Sequence, residues 1–174
     1  MSKLRPAGHL GPEDGLGLAR PTALETVQAF GETWVVLAAA GSSSLSVMRL
    51  GADGGLGPAD HLVDTRATRF AGVTALEVVK AGSRVFVLAG GADDGLSLFT
   101  LLPGGRLLHL ETLAQAPGLG LENVTAIAAA PVGAALQIFV ASGRQGGRRL
   151  PCQDRRSLDG YALGQYDPVA DPGP

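Results

Sequence analysis

The sequence predicts an all-β protein built from tandem copies of a four-stranded unit. A repeat gives the first indication: "TALE" at 22–25 returns at 74–77 and again as "TAIA" at 125–128, so the period is 51 to 52 residues. Short apolar segments separated by turn residues give the second. The third is composition, since 26 of the 174 residues are glycine and only 5% are aromatic, which indicates many tight turns.

Each unit contains four segments of about five to eight residues that are rich in Val, Leu, Phe and Thr. In the first full unit they span 22–29, 33–39, 44–50 and 60–64. The second unit repeats them at 73–80, 84–90, 95–101 and 107–113. Their length and their Val, Phe and Thr content favour strands over helices. An ungapped alignment of 35–50 with 86–101 relates the two units.

The second segment of each unit is a continuous apolar run, as in "TWVVLA" at 33–38 and "RVFVLA" at 84–89. Such a run predicts a strand that is covered on both faces. The third segment, "SLSVMRL" at 44–50 and "GLSLFTL" at 95–101, carries polar residues at intervals. We therefore expect it to be half exposed.

Four antiparallel strands in a period near fifty are typical of a β-propeller blade, which packs against the blades before and after it. The repeat region spans 1–143, with blades at 22–65 and 73–115, a partial blade at 122–143, and at 4–12 the outer strand of a preceding blade. Closed rings have at least four blades. The sequence thus predicts an incomplete β-propeller of about three four-stranded blades.

The segment 144–174 differs from the repeats, because it has neither strand alternation nor a helical period. We expect a disordered tail. The loss of register suggests a truncated chain, with a reading-frame shift near Arg144. This tail holds the one cysteine, Cys152, and a cluster of arginines that we interpret as solvated: Arg144, Arg148, Arg149, Arg155 and Arg156.

Charge and hydropathy exclude several classes of function. A net charge of -2 without a basic patch in the repeats argues against a nucleic-acid partner. The sequence has no run of eighteen apolar residues, so it predicts no membrane-spanning helix. Its first residues lack the apolar region of a secretory signal peptide. The compartment is left open.

The titratable residues that recur with the repeat have structural interpretations. His9 and His61 occupy equivalent positions, and His109 lies three residues off that register. Strand-edge positions on successive blades do not converge as metal or catalytic histidines must, so we interpret all three as structural or solvent-facing. Glu25 and Glu77 are also repeat equivalents, which suggests a shared hydrogen-bonding role.

No catalytic, cofactor or metal site is predicted. The weak metal candidates are Asp93 and Asp94, which with Asp53 and Asp60 could offer carboxylate oxygens to calcium. Adjacent aspartates in a glycine-bounded hairpin more often form turns. The serines at 42–44 lack the G-x-S-x-G elbow of a hydrolase nucleophile.

The stretch "RVFVLAGGADDGLSLFTLLPGGRLLHLETL" at 84–113 resembles the repeat of lactonase-like seven-bladed propellers. It is also similar to propeller-like segments of exported bacterial proteins of the RTX kind, which precede calcium-binding glycine-rich repeats. The calcium-binding nonapeptide G-G-x-G-x-D is absent here. The second resemblance implies an extracellular protein exported without a signal peptide, and neither resemblance carries a catalytic residue onto this chain.

The sequence therefore predicts a non-enzymatic repeat module that needs no cofactor and presents a surface to a macromolecule of unknown identity. Exposed blade faces also suggest self-association. One alternative is a fragment of a lactonase-like hydrolase, whose channel would require two chains in one ring. Another is the N-terminal region of a secreted RTX-type calcium-binding protein.

Overall fold

The computed structural model describes residue 6 and residues 8–117, 119–132, 135–143 and 161–166. The protein is all-β: apart from a 3₁₀ turn at Pro12–Asp14, the regular structure of these residues is strand. Within these described residues, eleven strands form three antiparallel sheets, and none of the three closes on itself. Sheet 1 contains β1 (Pro21–Ala29), β2 (Glu32–Ala39), β3 (Ser44–Leu50) and β4 (Leu56–Val63); sheet 2 contains β5 (Ala75–Ala81), β6 (Arg84–Gly90), β7 (Gly95–Leu101) and β8 (Leu107–Ala114); sheet 3 contains β9 (Val124–Val132), β10 (Ala135–Ser142) and β11 (Tyr161–Tyr166).

The strands of sheets 1 and 2 follow each other as a meander, so the first and fourth strands are the edges. Their bounds agree with the predicted segments to within two residues except at β4, which begins four residues earlier than expected. The additional residues include Gly57 and Pro58, two residue types that are depleted in strands. Proline is accommodated because β4 is an edge strand and a bulge opposite Val47 and Met48 interrupts its ladder.

The three sheets pack in series, with one core between sheets 1 and 2 and another between sheets 2 and 3. We call the side of a sheet that faces the next sheet in the chain its forward face, and the opposite side its rear face. In the central strand β6, alternate side chains divide between the two cores. Val87 on the rear face belongs to the first core, whereas Leu88 on the forward face belongs to the second, and both are fully buried.

The central strands β2 and β6 are covered on both faces, as their apolar runs predict. The expectation that the third strands are half exposed was wrong, since most residues of β3 and β7 are buried. Their serines are buried and have hydrogen-bond partners inside the protein. Ser46 Oγ lies 2.9 Å from His61 Nδ1, and at the equivalent place Ser97 Oγ lies 3.2 Å from Thr112 Oγ1.

Strand pairing corrects the ungapped alignment of the two units. Val36 pairs with Val47, and Leu88 pairs with Leu98, so Val36 and Leu88 are equivalent and lie 52 residues apart. The third strands, by contrast, are related by 51 residues. Between equivalent paired positions of the second and third strands, the second unit is therefore one residue shorter, with ten residues from Leu88 to Leu98 and eleven from Val36 to Val47. Because side chains alternate between faces, the ungapped alignment would place every residue of β6 on the wrong face.

The same hydrogen bond links each pair of neighbouring sheets. Thr22 Oγ1 donates to Val73 O of the next sheet at 2.7 Å, and Thr74 Oγ1 donates to Val124 O in the same way. Each acceptor immediately precedes the equivalent threonine of its own sheet, and Thr125 is the third member of the series. The two sheet-to-sheet interfaces therefore share this hydrogen bond at equivalent positions.

Both ends of the described chain differ from expectation. Residues 8–11 form no strand, and within the segment predicted to be disordered, Tyr161–Tyr166 forms β11 and pairs with β10. The physical reason is that β10 would otherwise leave a row of backbone N–H and C=O groups unpaired on that side. The arginine cluster and Cys152 lie outside the described residues.

Candidate binding surface

The histidines singled out from the sequence hold local contacts and do not form one site. His9 is an exposed side chain with Nε2 3.6 Å from Glu13 Oε1. His61 bonds to buried Ser46, and His109 Nε2 lies 2.7 Å from Thr112 Oγ1. Thr112 takes the place of His61 in sheet 2, so this position requires a hydrogen-bonding group rather than an imidazole.

The serines at 42–44 fasten loops. Ser42 Oγ and Ser44 Oγ each donate to Gly17 O at 2.6 Å, which ties the N-terminal segment to sheet 1. Ser43 Oγ accepts the N–H of Gly72 at 3.0 Å, in the connection between sheets 1 and 2. These hydroxyls already have partners in the backbone.

Three of the four candidate aspartates accept backbone N–H groups in different parts of the chain. Asp53 Oδ1 accepts the N–H of Gly55 within its own hairpin, and Asp60 Oδ2 accepts the N–H of Leu107 from the next sheet at 2.7 Å. Asp94, at φ 54°, accepts the N–H of Asn123 at 2.9 Å, which links sheet 2 to the start of sheet 3.

Asp93 differs, since its Oδ1 is buried without a hydrogen-bond partner. Burial raises the pKa of this carboxyl, and Asp64 adds to the rise, while an N–H from Ala71 and the charge of Arg69 oppose it. Within the part of the chain that the structure describes, no three His, Cys, Asp or Glu side chains are grouped as a metal site.

Glu77 connects sheets 2 and 3, because its Oε1 accepts the N–H of Ala129 at 3.3 Å. Burial raises the pKa of Glu77; the Ala129 N–H lowers it, and the nearby charge of Glu25 raises it further. The third repeat has Ala128 at this position. Glu77 thus has a hydrogen-bonding role between sheets, and a role shared with Glu25 stays a prediction.

The surface that sequence reasoning did not locate is the forward face of sheet 3. Most of its described residues are apolar and exposed, namely Ala126, Ala128, Ala130, Val132 and Phe139, while Gln137 on the same face is polar and half-buried. Phe139 is 44% exposed, whereas its equivalents Val36 and Leu88 are 0% exposed. Val132, at the end of β9, is 57% exposed. Finding this face from the sequence requires knowing which side chains of β10 point forward, and the one-residue difference between the units hides that assignment.

The rear face of sheet 1 is open in the same way. Leu24 is 57% exposed, whereas its equivalent Leu76, which packs against the preceding sheet, is 6% exposed. The N-terminal segment covers only part of this face, through Leu10, Leu16 and Leu18. A groove of about 550 Å³ lies beside that cover, lined by apolar side chains that include Leu24, Leu37, Met48 and Leu56.

On both end faces, large apolar side chains are exposed at sites where the internal sheets bury theirs, as Phe139 and Leu24 show. Comparison with known proteins adds no assignment: no family model matches the chain, and no curated protein is similar to it. In the described part of the chain, no helix has the length and apolar character needed to span a membrane.

Proposed function

We propose that this chain is a β-propeller-like repeat module without catalytic activity, and that its role is to bind another macromolecule through an uncovered sheet face. One observation carries the proposal. A single repeat position is fully buried as Val36 and as Leu88, yet it is 44% exposed as Phe139. The third sheet therefore presents to solvent a surface of the kind that the chain elsewhere uses for contact between sheets.

Two features of the sheets support the propeller-like arrangement. Neighbouring sheets contact each other forward face to rear face, and they repeat the threonine-to-carbonyl hydrogen bond. The closest approach between sheets is through their first strands, β1 with β5 and β5 with β9. In a propeller the first strands of successive blades line a common axis.

The binding role follows from the chemistry of the exposed face. Apolar patches of this kind usually mark interaction sites in proteins, because leaving them in water costs free energy that contact with a partner recovers. The described forward face of sheet 3 carries no charged side chain. Its partner should accordingly offer an apolar surface.

Site-specific photo-cross-linking tests the proposal. A benzophenone amino acid replaces Phe139 in one variant and Leu108 in a control, since Leu108 is 51% exposed on the edge strand β8. In cells that produce the protein, we expect one defined adduct from position 139 and none of that mass from position 108. Equal labelling from both positions, or hydrolysis of lactones by the purified wild-type chain, would show the proposal to be wrong.

A further inference from the structure

We infer that the partner of the forward face of sheet 3 is the rear face of sheet 1 in a second copy of this chain. This inference rests on the proposed function, because it names the occupant of the same surface. Forward and rear faces of this chain already bind each other twice, between sheets 1 and 2 and between sheets 2 and 3. Each end of the series leaves apolar side chains of one half of that interface exposed, and on the rear face of sheet 1 these lie beside the part that the N-terminal segment covers.

The forward face of sheet 3 and the exposed part of the rear face of sheet 1 are both apolar. The forward face offers the small side chains of β9 and the ring of Phe139, while the rear face offers Leu24 beside an apolar groove. Inside the chain, Leu76 occupies the position of Leu24 and is buried by the preceding sheet. A second copy would bury Leu24 in the same way.

The hydrogen bond between sheets can also form between copies. Thr22 and Thr74 donate to the carbonyl that precedes the equivalent threonine of the next sheet. By that rule Thr125 of one copy donates to Pro21 O of the other. Thr125 is exposed, and its Oγ1 donates to the carbonyl of Ala141 in its own sheet at 3.2 Å.

One position departs from the internal interfaces. Ala128 stands where the other sheets have Glu25 and Glu77, so contact between copies would lack the bond that Glu77 makes to Ala129. It would also bury no carboxylate at that point. An alanine there suits an interface that two separate chains must assemble, since burying an unpaired charge is costly.

The contact is head to tail, because it joins two different faces, and this distinguishes it from an isologous contact, in which a face binds the same face of the other copy. Two variants separate these cases. Phe139→Asp disables the forward face and Leu24→Asp disables the rear face. In a head-to-tail assembly each variant alone is monomeric, whereas their equimolar mixture forms a heterodimer through the one intact pair of faces.

Analytical ultracentrifugation of the full chain measures these states, with Leu108→Asp as the matched control that should associate like the wild type. We expect an oligomeric wild type, two monomeric variants and a mixed dimer. A Leu24→Asp variant that still dimerises would overturn the inference in favour of a symmetric contact. A monomeric wild type at all attainable concentrations would overturn it too, and an adduct with a different protein at position 139 would then leave the binding function standing.

Cross-linking provides a second test that does not depend on destabilising substitutions. In a Cys152→Ser background, one preparation carries Thr125→Cys and another carries Pro21→Cys. A short bis-maleimide should join the two preparations when mixed and should join neither to itself. Cross-linking of Thr125→Cys to itself, or no product in the mixture, would contradict the inference.

Discussion

Truncation of the equivalent residues Leu88 and Phe139 to alanine should have very different effects on the free energy of unfolding. Both lie on the forward face of the central strand of their sheet. Leu88 is 0% exposed because sheet 3 covers it, and Phe139 is 44% exposed. The comparison therefore isolates what a covering sheet contributes at one repeat position.

The magnitudes follow from burial. Leu88→Ala opens a cavity in a closed core, and a fully buried Leu→Ala change costs about 2 to 5 kcal/mol. Phe139→Ala leaves no enclosed cavity and removes a side chain that retains little more than half of its burial, so we expect about 1 kcal/mol in the monomer. Val36→Ala should resemble Leu88→Ala, reduced by the smaller volume of valine.

Urea unfolding followed by fluorescence measures these values, because Trp34 is the only tryptophan and is 2% exposed in the first core. The experiment is done at high dilution, where association does not contribute, and is then repeated at rising protein concentration. If copies associate through this face, the cost of Phe139→Ala grows with concentration. Equal costs for Leu88→Ala and Phe139→Ala at high dilution would refute the assignment of an uncovered forward face.

Three further predictions concern turns, hydrogen bonds and charge. Gly104 and Gly105 have similar φ, 84° and 83°, but a Cβ at Gly105 would collide with the indole ring of Trp34, whereas a Cβ at Gly104 would meet nothing. Gly105→Ala should therefore lower the free energy of unfolding in urea by about 1 to 3 kcal/mol more than Gly104→Ala. Equal costs would contradict this packing. Thr74→Val should cost about 1 kcal/mol and Thr125→Val almost nothing in the monomer, since only Thr74 bonds to the next sheet; thermal unfolding of both variants checks this. The pKa of Glu77 is raised, so the folded state binds the Glu77 proton more tightly than the unfolded state does. Wild-type stability should therefore fall as pH rises from the usual pKa range of Glu towards the raised pKa. Glu77→Gln should reduce that fall, and identical pH profiles of stability for the two proteins would refute this prediction.

Much of the architecture was predictable from the sequence. The period, the four segments per unit and the buried character of the second strand are all local properties, since they depend on turn residues and on apolar runs a few residues long. From these properties the bounds of β2, β3, β6 and β7 were predicted to within one residue.

The candidate sites were less predictable because they depend on contacts between distant residues. Asp60 looked like a possible ligand, yet it accepts the N–H of Leu107 from the neighbouring sheet. Polar residues in β3 suggested exposure, yet Ser46 is buried and satisfied by His61. In both cases the partner lies fifteen or more residues away, and nothing in the local pattern marks it.

By itself, the sequence determined that short strands recur with a period near fifty and that their apolar faces must pack against other elements. Only the tertiary structure decided which of these faces are buried. That decision depends on phase, because a single residue between the second and third strands of a unit moves each side chain of a strand to the opposite face. Strand pairing fixed this phase, and with it the difference between Leu88 in a core and Phe139 on the surface.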